Sequence, residues 1–202
     1  MPRTPINRRR SLQDLLALGM AGAVIAPIAQ AQTAAAPALP ATPPPELLAL
    51  PAPWPQARQL GATRMRFFGL SIYDAALWAP PGLAMTNYNS EPFALELRYL
   101  RSLSGTAIAQ RSLEEMRRGG ALAPALETQW LNTMRTAFPD VQSGDRITGV
   151  NRPQQGVRFY VNGQLKADVM DSAFAERFFG MWLAPWTSEP AMRLALLPGL
   201  TP

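Results

Sequence analysis

Polar residues that could bind an anion interrupt an otherwise apolar stretch, residues 61–80, which reads GATRMRFFGLSIYDAALWAP. The polar members of interest are Arg64, Arg66, Tyr73 and Asp74. If the chain reverses near Gly69, the two halves pair as neighbouring strands, and an arginine guanidinium can bind either Asp74 or an anion through two parallel hydrogen bonds. The stretch therefore predicts an anion site or a structural ion pair, of which the ion pair is the more common on sheets.

A second polar group lies on residues 92–103, PFALELRYLRSL, where polar and apolar residues alternate. The group consists of Glu96, Arg98, Tyr99 and Arg101. A period of two places Glu96 and Arg98 on one face of a strand and Tyr99 on the other. If helices cover the charged face, each charge needs a partner, because burying an unpaired charge is costly. A solvated face explains the same pattern.

The sequence contains no cysteine and no histidine, which removes several classes of chemistry. Zinc sites built on thiolate or imidazole, Ser-His-Asp triads, cysteine nucleophiles and covalently attached haem all need one of these residues. The carboxylates are too dispersed for a calcium loop or a paired-carboxylate glycosidase, and there is no glycine-rich phosphate loop. We therefore expect no metal and no cofactor.

The positive charge is concentrated at the N-terminus. The formal net charge of the chain is +5, and the first 31 residues carry +3 of it. The charged residues of this segment are Arg3, Arg8, Arg9, Arg10 and Asp14. The remaining charge of about +2 provides no electrostatic attraction for nucleic acid, so we expect no nucleic-acid partner.

Residues 8–32, RRRSLQDLLALGMAGAVIAPIAQAQ, have the order of an export signal: arginines, an apolar stretch and a small-residue cleavage site ending at Ala31. The apolar stretch is too short to span a bilayer comfortably. Arg9 and Arg10 partly match a twin-arginine signal, and the general secretory route fits equally well. We predict that residues 1–31 are removed on export and that the mature chain is periplasmic, with no transmembrane segment.

Residues 32–55 are rich in alanine and proline. Proline cannot donate a backbone hydrogen bond, and this composition offers little apolar surface to bury. We predict an extended linker there, docking near Trp54. The folded domain is expected over residues 56–202, a length that suits one hydrophobic core.

Hydrophobic periodicity in the expected domain predicts three strands, two helices, three strands and two helices, in that order. The landmarks are Arg64 at the start of the first strand, residues 104–118 as the first helix, Pro124, Asp171 and Ser188 at the starts of the other helices, and Asn162-Gly163 as a hairpin turn. This order implies an α+β fold, in which an antiparallel sheet has its helices packed on one face.

These segments, in this order, resemble the chalcone isomerase-like proteins of bacteria, which are relatives of plant chalcone isomerase. The resemblance covers roughly residues 54–197. It rests on GATR leading into IYDAALWAP, FALELRYLRSLSG before a helix, GDRITGV with FYVNG, and FAERFFGMWL followed by TSEPAMRLALL. It implies an open-faced β-sandwich with a ligand cleft between a large antiparallel sheet and its helices.

The resemblance also implies roles for particular residues. In the plant enzymes an arginine on the first of these strands stabilises the anionic substrate, and a tyrosine at the start of the following helix positions a water or the carbonyl. In the plant fatty-acid-binding relatives the equivalent pair holds the carboxylate. Arg64, or else Arg66, matches the arginine, and Ile108 stands at the tyrosine position. Tyr73 or Tyr99 would have to supply the missing hydroxyl from a neighbouring strand.

We therefore expect an exported, non-catalytic protein that binds a small amphipathic anionic molecule such as a fatty acid. The expected ligand-binding residues are Arg64, Arg66, Tyr73 and Tyr99. One alternative is an isomerase or lyase acting on phenolic or enolisable substrates. Another is a structural or partner-binding module whose cleft is filled by Phe and Trp side chains, which a structure without a cavity beside Arg64 would favour.

Overall fold

A computed structural model of the chain describes residues 42–82 and 88–198. The predicted export signal and residues 32–41 of the predicted linker lie outside these ranges. Among the described residues, no helix is long and apolar enough to cross a membrane.

The centre of the fold is a six-stranded antiparallel sheet whose strands follow one another in sequence order. The strands are β1 (Arg58–Phe67), β2 (Leu70–Ala79), β3 (Phe93–Tyr99), β4 (Arg146–Arg152), β5 (Gly156–Val161) and β6 (Gln164–Val169). β1 begins at Arg58, six residues before the predicted Arg64, because the pairing with β2 continues through a bulge between Gln59 and Gly61. The antiparallel α+β prediction is confirmed.

Helices connect and flank the two halves of the sheet. They are α1 (Pro45–Leu48), α2 (Gly105–Met116), α3 (Pro124–Ala137), α4 (Ser172–Leu183) and α5 (Pro190–Leu196). The Ser104 hydroxyl accepts a hydrogen bond from the Ala107 amide, and the Asp171 carboxylate accepts one from the Phe174 amide, so both residues cap their helices. These caps start α2 and α4 where the sequence predicts them.

The two faces of the sheet differ in chemistry because successive side chains of a strand point to opposite sides. On β3, Phe93, Leu95, Leu97 and Tyr99 join the main core beneath α2, α3, α4 and α5. Ala94 lies on the other face, in a smaller cluster with Trp78 and Val150.

The main core is rich in aromatic side chains contributed by α4. Phe174 and Phe178 stack with their ring centroids 5.7 Å apart, and Phe159 of β5 meets the Phe178 ring edge-on at 5.0 Å. Phe93 packs edge-on against Phe179 at 4.7 Å. This aromatic layer holds α4 at a fixed position over the sheet, and α4 forms one wall of the site described below.

Part of the predicted linker is folded against the sheet, which corrects that prediction for residues 42–55. α1 contributes Leu47, fully buried in the smaller cluster, and a short 3₁₀ turn, Trp54–Gln56, leads into β1. Proline is compatible with this helix because Pro45 occupies its first turn, where a backbone N–H has no intrahelical partner. The helices therefore cover one face, and this N-terminal strap, residues 44–57, covers part of the other.

The strap is also tied to the sheet by buried charges. The Thr148 hydroxyl donates a hydrogen bond to Glu46. Arg146 lies between two carboxylates, 3.8 Å from Glu46 Oε2 and 3.6 Å from Glu96 Oε1. Trp78 Nε1 donates to Glu96 Oε2 at 3.1 Å. Burial raises the pKa of Glu96, and the nearby Arg146 opposes that shift.

Leu47→Ala should lower the free energy of unfolding by about 2–5 kcal/mol, because it leaves a cavity under the strap. Leu48, its neighbour in α1, is 46% exposed, whereas Leu47 is 0% exposed. Leu48→Ala is therefore the matched control and should change stability by no more than about 0.5 kcal/mol. Urea denaturation followed by tryptophan fluorescence measures both variants. Equal effects in the two would show that the strap is not packed as described.

Candidate functional site

An apolar cavity of about 330 Å³ lies between the helix-covered face of the sheet and α2, α4 and the segment before α5. Its apolar walls are formed by Met65, Phe67, Ile72, Leu97, Leu103, Ile108, Phe138, Ile147, Phe178 and Met181. Of the lining residues, Phe67, Ala107 and Arg111 are exposed on the protein surface. They mark a mouth between the β1–β2 hairpin and the first turns of α2.

Two tyrosines form the polar end of this cavity. Tyr73 on β2 pairs with Tyr99 on β3, and their ring centroids are 5.9 Å apart. Trp182 Nε1 of α4 donates a hydrogen bond to the Tyr73 hydroxyl oxygen at 2.9 Å. Within the part of the chain that the structure describes, the Tyr99 hydroxyl has no hydrogen-bond partner. Both hydroxyl protons are therefore available to a molecule in the cavity.

Both tyrosines remain neutral at physiological pH. Burial raises the pKa of Tyr73 well above that of an exposed phenol, while the hydrogen bond from Trp182 acts in the opposite direction. Burial also raises the pKa of Tyr99, and the neighbouring Tyr73 adds to the shift. The two side chains can consequently donate hydrogen bonds, but neither is poised to act as a phenolate base.

Charged side chains surround the polar end as well. Arg111 and Glu115 of α2 and Glu189 before α5 line the cavity. Arg111 makes ion pairs with Glu115 and with Glu114, the latter at 3.2 Å. Among the charges that act on Tyr73, Glu189 and Glu115 raise its pKa and Arg111 lowers it. One cationic and two anionic groups of the cavity lining thus act on Tyr73 in opposite directions.

The predicted anion anchor, Arg64, does not lie in the cavity. It occupies the opposite face of the sheet, where its Nε and Nη2 donate to the two carboxylate oxygens of Asp74 at 2.6 and 2.9 Å. The hydrogen bond to Asp74 raises the pKa of Arg64. Arg66 is exposed and is not a lining residue either. The structural ion pair, the alternative that the sequence left open, is the arrangement observed.

The reason for this placement is the two-residue period of β1. Met65 pairs with Tyr73 and faces the cavity, so Arg64, its neighbour, must face the other way. The same rule puts Glu96 on the strap side, where Trp78 and Arg146 satisfy it. A charge on the cavity face at these positions would have required a one-residue shift in register.

Tyr73, Tyr99 and Ile108 all line this one cavity. Ile108, in the first turn of α2, lines the cavity with an apolar side chain. Sequence reasoning missed Arg111, Ser112 and Glu115, which share this side of α2 with Ile108. Their spacing of three, four and seven residues is the helical repeat, and it runs beside the core stripe that contains Leu113.

The described residues contain no group of three acidic, histidine or cysteine side chains that could hold a metal ion. Ser112 and Ser188 are the hydroxyl residues that line the cavity besides the two tyrosines. The site as described can therefore enclose an apolar group and hydrogen-bond one polar end of it.

Comparison with known proteins places these features in context. A model of the chalcone isomerase-like family matches residues 60–198. An uncharacterized protein of Haemophilus influenzae is 25% identical over 134 residues, which span 66% of this chain and 64% of that protein, less than two thirds of its length. A fatty-acid binding protein of Arabidopsis thaliana superposes with a TM-score of 0.54 at 12% identity, covering 79% of this chain and 90% of the other. That likeness concerns the fold alone.

Arg64→Gln should lower the free energy of unfolding by about 1–2 kcal/mol, because it leaves the buried Asp74 carboxylate without its charged partner. Arg66→Gln is the control: Arg66 is exposed and forms no ion pair among the described residues, so its replacement should have an effect below about 0.5 kcal/mol. Chemical denaturation at neutral pH checks both. An unchanged stability of Arg64→Gln would contradict the structural role of the pair.

Proposed function

The chain belongs to the chalcone isomerase-like family, and from that premise we propose that it is an exported binding protein that holds a small amphipathic molecule, such as a fatty acid, without transforming it. The observation that carries the proposal is the apolar cavity whose polar end presents two neutral hydroxyl donors, Tyr73 and Tyr99. The apolar part of the ligand lies among the aliphatic and aromatic walls, and its head group lies at the tyrosines.

The size and chemistry of the cavity support a small ligand. A volume of about 330 Å³ falls at the lower end of the range for small-molecule sites in proteins. Nearly all of the walls are apolar, which favours transfer of an acyl chain or a similar group from water. The Arabidopsis neighbour is a fatty-acid binding protein, and fatty acids are therefore the first class to test.

The head group is held by hydrogen bonds to the two phenols. Since Trp182 donates to the Tyr73 oxygen, the Tyr73 proton is directed elsewhere and can reach a carboxyl or carbonyl oxygen. Arg111 offers a positive charge, but its guanidinium is already paired with glutamates. The carboxylates of Glu115 and Glu189 repel a second negative charge, so the site favours a protonated acid over a carboxylate.

Binding without turnover is supported by the same residues. The cavity has Ile108 at the position of the family's helix tyrosine, and neither Arg64 nor Arg66 lines it. The two phenols are held in their protonated form, which makes them poor general bases at neutral pH. Export is proposed from the arginine-rich, apolar N-terminal sequence of residues 8–32.

Ile108→Trp should abolish ligand binding by filling the cavity from α2. We expect the affinity for a fluorescent fatty acid to fall at least about tenfold, with a melting temperature within a few degrees of the unmodified chain. Gln110→Trp adds the same indole to an exposed position of the same helix that does not line the cavity, and it should bind normally. Undiminished binding by Ile108→Trp would place the ligand elsewhere.

Isomerisation of chalcones by the unmodified chain would refute the absence of turnover.

Tyr73→Phe and Tyr99→Phe should each weaken binding of a fatty acid by about two- to tenfold, the equivalent of one lost hydrogen bond. The same variants should bind a matched alkane with unchanged affinity, because the alkane has no head group. Arg64→Gln serves as the control and should bind the acid as the unmodified chain does, since Arg64 faces the other side of the sheet. Titration calorimetry measures all three. A large loss in Arg64→Gln with none in the tyrosine variants would overturn the assigned polarity of the site.

A further inference from the structure

The tip of the β1–β2 hairpin exposes a contiguous apolar patch. Phe67 is 52% exposed, Phe68 91% and Leu70 53%. These three, together with Gly69, are defined here as the hairpin tip. The Phe67 and Phe68 rings meet edge-on with centroids 4.5 Å apart, so they form one convex aromatic surface. Single exposed apolar residues are ordinary, but a contiguous patch commonly marks a binding surface.

The backbone of the tip shows that an aromatic residue is not there for local stability. Phe68 and Gly69 form a two-residue turn in which both residues have positive φ, 46° and 78°. Such a turn favours Asn-Gly, because asparagine and glycine tolerate the left-handed region far better than phenylalanine. The β5–β6 hairpin of the same sheet has the favoured pair, Asn162-Gly163, with φ of 49° and 86°. A phenylalanine at the first position therefore has a function outside the turn.

Two arginines, Arg66 and Arg101, lie at the same end of the sheet as the tip. Arg66 precedes it on β1, and neither Arg66 nor Arg101 has an ion-pair partner within residues 42–82 and 88–198. Arg101 follows Leu100, whose amide donates to the carbonyl of Ile72 at 2.9 Å, so it lies at the same end of the sheet as the tip. Exposed aromatic rings flanked by arginines fit the polar boundary of an anionic bilayer.

The area of the patch distinguishes a bilayer from a protein partner. At about 150–250 Å² for each fully exposed aromatic side chain, the tip exposes on the order of 400 Å². A stable protein interface needs roughly 800 Å² on each partner. The area of this small convex tip is too small for a stable protein interface, whereas lipid can surround the tip on all sides.

We propose that the hairpin tip inserts into the surface of an anionic lipid bilayer. Phe67 belongs both to the tip and to the lining of the cavity, so insertion brings the cavity mouth to the membrane. An apolar ligand can then pass between bilayer and cavity without crossing water. The docking rests on the tip alone; only this exchange rests on the proposed ligand-binding function.

The absence of cysteine from the chain allows a direct test. Phe68→Cys and Met170→Cys, each labelled with an environment-sensitive dye, report on the tip and on an exposed apolar site after β6, at the opposite end of the sheet. All proteins compared on vesicles, including the unmodified one, begin at residue 32, the predicted mature N-terminus, so the arginine-rich and apolar segment of residues 8–31 does not contribute to lipid binding. On vesicles of phosphatidylglycerol and phosphatidylethanolamine, we expect a blue shift and quenching by brominated lipid at position 68 and not at position 170. No change at 68, or equal changes at both, overturns the proposal.

Phe68→Asn separates docking from folding. It recreates the Asn-Gly turn of the β5–β6 hairpin, so the melting temperature should be unchanged or higher. Partition onto the same vesicles should fall by about tenfold or more, because the most exposed ring is lost. Met170→Gln should partition like the unmodified chain. A Phe68→Asn protein that partitions normally overturns the proposal. The proposal is also overturned if the unmodified chain sediments as a dimer and Phe68→Asn sediments as a monomer.

Ligand measurements keep this proposal apart from the proposed function. Phe68→Asn should bind a fatty acid from detergent-free solution with unchanged affinity and should accept it from vesicles more slowly. If the chain binds no fatty acid at all but the dye at position 68 still enters the bilayer, docking stands and the ligand assignment fails. If binding is intact and the dye never enters, the docking proposal fails alone.

Discussion

The period of two along the sheet is the constraint on which the rest of this structure depends. On β2 and β3 it directs Tyr73 and Tyr99 toward the helices, and it directs Asp74 and Glu96 to the other side. The side chains buried on the two faces therefore need different partners. The face toward the helices buries an aromatic core that contains the cavity. The face toward the strap buries carboxylates that lie beside arginines. The sheet therefore supplies neutral hydroxyls to the cavity, and the charged lining residues come from α2 and the segment before α5.

The charged side of the sheet is costly to bury, and its buried carboxylates Glu46, Asp74 and Glu96 each lie beside an arginine. Arg146 stands between Glu46 and Glu96, and Glu46 comes from the strap, far away in sequence. Buried ion pairs add little net stability, yet losing one partner leaves a charge with neither water nor a counter-ion. The cluster therefore specifies where the strap lies more than it strengthens the fold, while Leu47 contributes the apolar burial.

The sequence was sufficient for the order of the elements and insufficient for the site, for physical reasons. Alternation in residues 92–103, the caps at Ser104 and Asp171 and the Asn162-Gly163 turn are local signals, and local structure obeys them. Which face of β1 meets the helices depends on pairing with β2, and a one-residue ambiguity there misplaced Arg64. The folded strap was not predicted because its few apolar residues are stabilised by a face of the sheet that is distant in sequence. Arg111 and Glu115 could have been identified from their helical spacing relative to Ile108.

The strap determines where an expressed fragment of this domain has to begin. The family match begins at residue 60, within β1, and so leaves out Glu46, Leu47 and the turn before the strand. A recombinant fragment designed on that boundary would uncover Trp78 and Val150 and would deprive Arg146 of one of its two carboxylates. The structural unit on this side of the sheet starts no later than residue 44, so an insoluble shorter fragment would reveal a misplaced boundary and say little about the intact protein.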